Sequence, residues 1–204
     1  MKILIVGTSR SGTTSLLNGI SKQGYSKLSE PYNPIREKRY PYPPDFLISN
    51  HNVCVKSLVG HVGEDFDRPT DFHVELSKHF DKVILLDRRD YHTHWLSYCN
   101  LIHKNEVLGV SPHKPWSLKE INETIIENLI NNGWEDRFKK EKVYIKEISN
   151  ILELEIVYYE DLYSIKKEIS TKTIQSMNLM VDEESLMLEL DPNKKYLRIG
   201  GDII

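Results

Sequence analysis

Short apolar runs bounded by turn residues punctuate this chain at Ile3–Val6, Val53–Val55, Val83–Leu86 and Leu154–Tyr158. Their brevity and β-branched content predict buried strands. Between them, apolar positions recur at helical spacing over Thr13–Gln23, Asp71–His79, Tyr91–Lys104, Leu118–Leu152 and Tyr163–Met180, the fourth region broken near Asn131–Gly133. A short extended run, Tyr25–Leu28, follows the first helix. Strands alternating with helices imply βαβ crossovers, hence an α/β fold of three layers with a central, mostly parallel sheet between helices. The 204 residues carry no internal repeat and are expected to form a single domain, 1–204.

Two stretches depart from this alternation. Residues 31–50 hold five of the nine prolines, which excludes a regular helix or central strand and predicts an ordered excursion on the substrate side. Residues 105–117 read as a second loop.

Composition narrows the function classes. Hydrophobic residues make up 39% and charged residues 28%, a globular balance, and a chain this long buries roughly 70% of its unfolded surface without staples. The net charge of −3 argues against a general grip on nucleic acid or an anionic membrane. Cys54 and Cys99 have no CxxC spacing and are expected to be buried small hydrophobes. No run approaches the roughly 18 apolar residues of a membrane span, and MKILIVGTSRSG reads as a strand entering a glycine turn rather than a signal peptide, so the expected location is cytoplasmic.

The chemistry begins at that turn. Gly7-Thr8-Ser9-Arg10-Ser11-Gly12-Thr13-Thr14 lies between the first predicted strand and the first predicted helix, where backbone N–H groups and a helix N-terminus converge on an anion. A Walker A loop needs lysine after the second glycine to reach the β- and γ-phosphates. Here Thr13 takes that place and Arg10 is the basic residue, offering a guanidinium fork to a smaller anionic group.

Arg10-Ser11-Gly12-Thr13-Thr14-Ser15-Leu16 resembles the 5′-phosphosulfate-binding loop of the sulfotransferases that use 3′-phosphoadenosine 5′-phosphosulfate (PAPS). The resemblance implies a P-loop NTPase-like fold, with Arg10, Ser11, Gly12, Thr13, Thr14 and Ser15 around the phosphosulfate. In this family an arginine after a later strand and a serine eight residues on hold the 3′-phosphate; Arg89 and Ser97 match that spacing, and Arg88 misses it by one. Tyr159-Glu160-Asp161-Leu162 is similar to a family segment whose tyrosine lies near the adenine. Arg198, within Lys195–Asp202, resembles the family's C-terminal arginine–glycine cover of the 3′-phosphate.

Sulfonyl transfer is an in-line displacement that needs positioning, charge neutralisation at the leaving oxygen and a base, with no metal required. Base candidates are Glu30, His61 and, behind them, His51. Glu30-Pro31 resembles the Glu-Pro segment of carbohydrate-type members, whose glutamate is the proposed base, and an anionic site is expected to raise its pKa toward neutral. Lys56-Ser57-Leu58 stands where cytosolic members carry Lys-Thr-His, so the match keeps Lys56 to neutralise charge but puts leucine at the histidine position. The resemblance is therefore closer to the carbohydrate or bacterial type, and implies a small-molecule or carbohydrate acceptor.

Two other readings stay open: a small P-loop kinase or NTPase, with Asp87 holding Mg²⁺, and a non-catalytic nucleotide-binding domain. His92 and His94 point to different helix faces and form no metal-ligand pattern. The mixed-charge run Arg137–Lys142 reads as a solvated helix face, and Trp95 and Trp134 as packing residues, with Trp116 a candidate liner of the acceptor cleft.

Overall fold

The structure, a computed structural model, describes residues 1–33, 51–62, 66–107, 121–164 and 166–190. Most of the proline-rich stretch, residues 108–117 with Trp116, and the C-terminal segment with Arg198 lie outside the described residues.

Five strands form one parallel sheet in the order β2-β3-β1-β4-β5. They are β1 (Lys2–Gly7), β2 (Ser26–Ser29), β3 (Val53–Leu58), β4 (Lys82–Asp87) and β5 (Ile156–Tyr158). The helices are α1 (Thr13–Ser21), α2 (Pro69–Ser77), α3 (Tyr91–Ile102), α4 (Glu123–Asn131), α5 (Trp134–Leu152), the single turn α6 (Tyr159–Leu162), α7 (Lys167–Ser176) and α8 (Glu183–Leu190). A π-helical turn, His103–Val107, prolongs α3.

Alternation along the central strand creates the layers. Ile3 and Ile5 of β1 pack with Leu16, Leu17 and Ile20 of α1, with Ile174 of α7 and Met177 just beyond it, and with Leu186 of α8. Leu4 and Val6 face the other way, onto Phe72 and Leu76 of α2 and Ile145 and Ile148 of α5. Both faces of β1 are thus dry, which explains its unbroken apolar run. A satellite cluster of Trp95, Tyr98, Cys99, Leu129 and Phe138 joins α3, α4 and α5. Both cysteines are free and buried.

Strand order fixes where a ligand can sit. The connection from β1 leads to β2 on one side of the sheet, whereas β4 leads to β5 on the other. The carboxyl ends of the adjacent strands β1 and β4 therefore flank a topological switch point, where loops diverge and leave a crevice. Among the described residues, no helix is long and apolar enough to cross a membrane.

The run Arg137–Lys142 is not a solvated face. Phe138 and Glu141 are buried, in register with Ile145 and Ile148 on the same stripe of α5, while Arg137, Lys139 and Lys140 face water.

Candidate functional site

The crevice floor is the turn from β1 into α1. Gly7 closes β1 against Leu86 of β4: a Cβ there would lie 2.7 Å from Leu86 O and 2.8 Å from Ser11 Oγ. Gly12 is the helix N-cap with φ 92°, and a Cβ there would meet Tyr159 and Tyr163 at 2.8 Å. Arg10 between them also has a positive φ, 69°, a conformation that costs about 1–3 kcal/mol for a non-glycine residue and collects at functional sites.

Buried polar groups hold this turn from beneath. Thr8 Oγ1 donates to Asp87 Oδ1 at 2.7 Å. Glu141 accepts from both Ser9 N, at 2.6 Å, and Ser9 Oγ, at 2.9 Å. His94 donates through Nε2 to Ser9 O at 2.6 Å, and Tyr163 OH donates to Gly12 O at 2.9 Å. Burial pushes the Glu141 carboxyl up despite its bonds from Ser9. Burial lowers His94 to about 4, so the imidazole is neutral at physiological pH.

The upper surface of the turn is left open to solvent chemistry. Among the described residues, the amides of Arg10, Gly12, Thr13 and Thr14 donate to no protein acceptor. Ser11 is already engaged, N and Oγ both bonding Thr8 O. Thr13 is buried with its methyl against Gly7, so the loop's exposed hydroxyl belongs to Thr14. Ser15 N caps back onto Gly12 O at 3.0 Å.

Three basic residues surround those amides. Arg10 is accessible at the crevice mouth, with Nε 3.3 Å from Ser97 Oγ on α3; crowding by protein, with the charge of Arg88 second, lowers its pKa. Arg88 lies over the Tyr159 ring at 3.9 Å. Lys56, buried in β3, donates to Thr14 Oγ1 at 2.8 Å and forms an ion pair with Glu30.

Glu30 follows β2 with φ 53° and accepts from Asn33 Nδ2 at 2.9 Å. Burial alone would raise its pKa, but the Lys56 charge, the Lys56 and Asn33 hydrogen bonds and nearby His61 hold it below the ordinary value. The expected upward shift is therefore reversed: the cation of the site, Lys56, is already in contact with Glu30. His61 is buried beside this pair, whereas His51 is exposed at the amino end of β3, its carbonyl accepting from the N-terminal ammonium at 2.7 Å. His51 is on the wrong edge of the sheet to act here.

Arg89 and Ser97 do not meet in this structure. Arg89 is exposed and makes a two-pronged contact with Asp161, at 2.8 and 3.2 Å, with its guanidinium 4.4 Å from the Tyr158 ring. Ser97 faces Arg10 instead. Tyr159 is where the loop needs a wall, tilted against Tyr163 at 4.5 Å.

Sequence reasoning missed Glu141 and His94 as supports of the loop. A charged residue in the buried stripe between Phe138 and Ile145 was the available signal for Glu141. Among the described residues, no group of three or more His, Cys, Asp or Glu side chains is placed to hold a metal. No family model, no curated protein and no solved structure matches the chain.

Proposed function

We propose that this chain is a PAPS-dependent sulfotransferase with a P-loop NTPase-like fold, moving a sulfonate group to a hydroxyl or amine of a small-molecule or carbohydrate acceptor. One observation carries the reading: the unpaired amides of Gly12, Thr13 and Thr14, the guanidinium of Arg10 and the Lys56–Glu30 pair converge at the switch-point crevice. Such a cradle fits a phosphosulfate. The family resemblance of Arg10–Ser15, Arg89 with Ser97, and Tyr159 supplies the rest of the donor.

The reaction then runs in line. The acceptor oxygen or nitrogen attacks sulfur as the bond from sulfur to the bridging phosphate oxygen breaks. Glu30, ionised at neutral pH, takes the acceptor proton. Arg10, the loop amides and Lys56 stabilise the charge gathering on the leaving adenosine 3′,5′-bisphosphate. Lys56 sits between Glu30 and Thr14, so one cation serves the base and the leaving oxygen. Arg89 would exchange Asp161 for the 3′-phosphate.

The kinase reading is weakened by Asp87. Its carboxylate is buried, bonded to Thr8 and paired with Lys142 Nζ at 2.8 Å, which leaves it neutralised rather than offered to Mg²⁺. The test is release of adenosine 3′,5′-bisphosphate from PAPS across a panel of sugars, phenols and amines. Glu30→Gln should abolish turnover while leaving donor affinity within a few-fold; loss of neither would remove Glu30 from the mechanism.

A further inference from the structure

We infer that Arg88 forms, with Arg10, a two-guanidinium subsite for a doubly charged phosphoryl or sulfonyl oxyanion seated on the amides of Gly12–Thr14. The inference rests on the anion-binding reading of the loop and names a residue that the family spacing passes over, since that spacing selects Arg89.

The strand itself sends Arg88 toward the loop. Ile84 and Leu86 of β4 face the layer that holds Leu16, Leu162 and Tyr163, and Arg88 continues that alternation at the carboxyl edge. There its guanidinium covers Tyr159, whose ring edge is so close to Gly12 that any Cβ would collide with it. Tyr159 is thus a spacer holding Arg88 over the N-terminus of α1. A planar cation on an aromatic face is pre-organised.

Charge bookkeeping around the site is out of balance. Arg88 is near enough to Arg10 to depress its pKa. Among the described residues, neither arginine has an ion-pair partner, and Arg88 Nε is buried without a hydrogen-bond acceptor. Four described carboxylates on the adjoining elements are each held by another group. Asp87 is held by Thr8 and Lys142, Glu141 by Ser9, Asp161 by Arg89, and Glu160 by the amides of Arg89 and Asp90. Two crowded guanidinium groups with no ion pair among the described residues repel each other, a cost that an incoming anion relieves. Arg89, by contrast, is already satisfied by Asp161.

Inorganic pyrophosphate is the probe, titrated calorimetrically into the full chain beside adenosine 3′,5′-bisphosphate. Arg88→Met keeps an apolar stem over Tyr159, Arg88→Lys restores the charge without the fork, and Arg68→Met removes a distant cation as a control. The expected result is wild-type binding of pyrophosphate, weakened about 10- to 100-fold in Arg88→Met, partly restored in Arg88→Lys and unchanged in Arg68→Met. Equal affinity in Arg88→Met and wild type overturns the inference, and so does a wild type that binds no pyrophosphate. Circular dichroism melts of each variant separate lost binding from lost folding, and Arg88→Lys serves if Arg88→Met does not fold. A protein that takes pyrophosphate through Arg88 yet ignores the bisphosphate keeps this subsite and ends the donor reading.

Discussion

Lys56 Nζ, carried by β3, reaches Thr14 Oγ1 in the first turn of α1 at 2.8 Å, and the same ammonium is paired with Glu30 beyond β2. Three consecutive elements of the sheet edge are joined by one charge. Removing it in Lys56→Met leaves burial as the dominant influence on Glu30. The carboxyl pKa, now below its ordinary 4.5, should then move above 4.5. A carboxyl NMR titration of wild type against Lys56→Met reads this directly. In turnover, the acid limb of the pH–rate profile should shift upward in the same variant.

The same pair makes stability depend on pH. Because the folded pKa of Glu30 is depressed, its contribution is present above the unfolded value of 4.5 and is lost as pH falls through the folded pKa. The stability gap between wild type and Glu30→Gln, from urea melts, should therefore be constant at neutral pH and close below pH 4.5.

Two buried histidines act in a different window. His73 donates Nδ1–H to Pro69 O at 2.7 Å and accepts from Ser57 Oγ at Nε2 at 2.9 Å, while His94 supports Ser9. Burial lowers both to about 4 from an ordinary 6.5. The unfolded chain therefore binds protons first on acidification. Stability is full above pH 6.5 and falls between 6.5 and 4 with a slope approaching about 1.4 kcal/mol per pH unit for each histidine. Urea midpoints across that range check the sign; a midpoint flat from pH 7 to pH 4.5 contradicts it.

Glycine substitutions separate packing from conformation. Gly12→Ala places a Cβ against two tyrosines at φ 92°, and should cost about 1–3 kcal/mol along with anion binding. Gly24→Ala has an unfavourable φ of 87° but open space, so it should cost less and leave binding intact. Thermal melts and pyrophosphate titrations of the two variants provide the comparison.

Glu141→Ala should be the more damaging change on α5. It removes two hydrogen bonds from Ser9 and leaves a buried amide unsatisfied, a loss of about 3 kcal/mol. Anion affinity should drop as the loop loses its support, while Lys139→Ala, on the exposed face, should change neither.

The sheet was largely legible because its strands are apolar on both faces. The runs at Ile3–Val6, Val53–Val55 and Val83–Leu86 became β1, β3 and β4, and the break near Asn131–Gly133 separates α4 from α5. Edges were harder. The extended run expected at Tyr25–Leu28 corresponds to β2 one residue later, a polar edge strand paired with β3 alone. Glu183–Leu190 gave no helix expectation, since its acidic start conceals the Leu186 and Leu190 contacts that dock it on α1. The helical run expected over Tyr163–Met180 is realised only as α7, Lys167–Ser176, with the single turn α6 lying before it. In the candidate site, the loop follows β1 and Glu30 follows β2, whereas Lys56, expected just past a strand ending at Val55, lies within β3. Spacing selected Arg89 over Arg88 but could not show which way each faces, which depends on pleat and on the acids of α6. The upward shift expected for Glu30 is reversed by its contact with Lys56, which brings together residues far apart in the chain.

Whether the loop at residues 7–14 serves a 3′-phosphorylated adenosine donor, as proposed, is decided by calorimetric titration with adenosine 3′,5′-bisphosphate beside ATP with Mg²⁺. The expected result is bisphosphate binding that is lost in Arg10→Met and in Arg89→Ala, with ATP much weaker. Binding of ATP with Mg²⁺ in preference to the bisphosphate would contradict it.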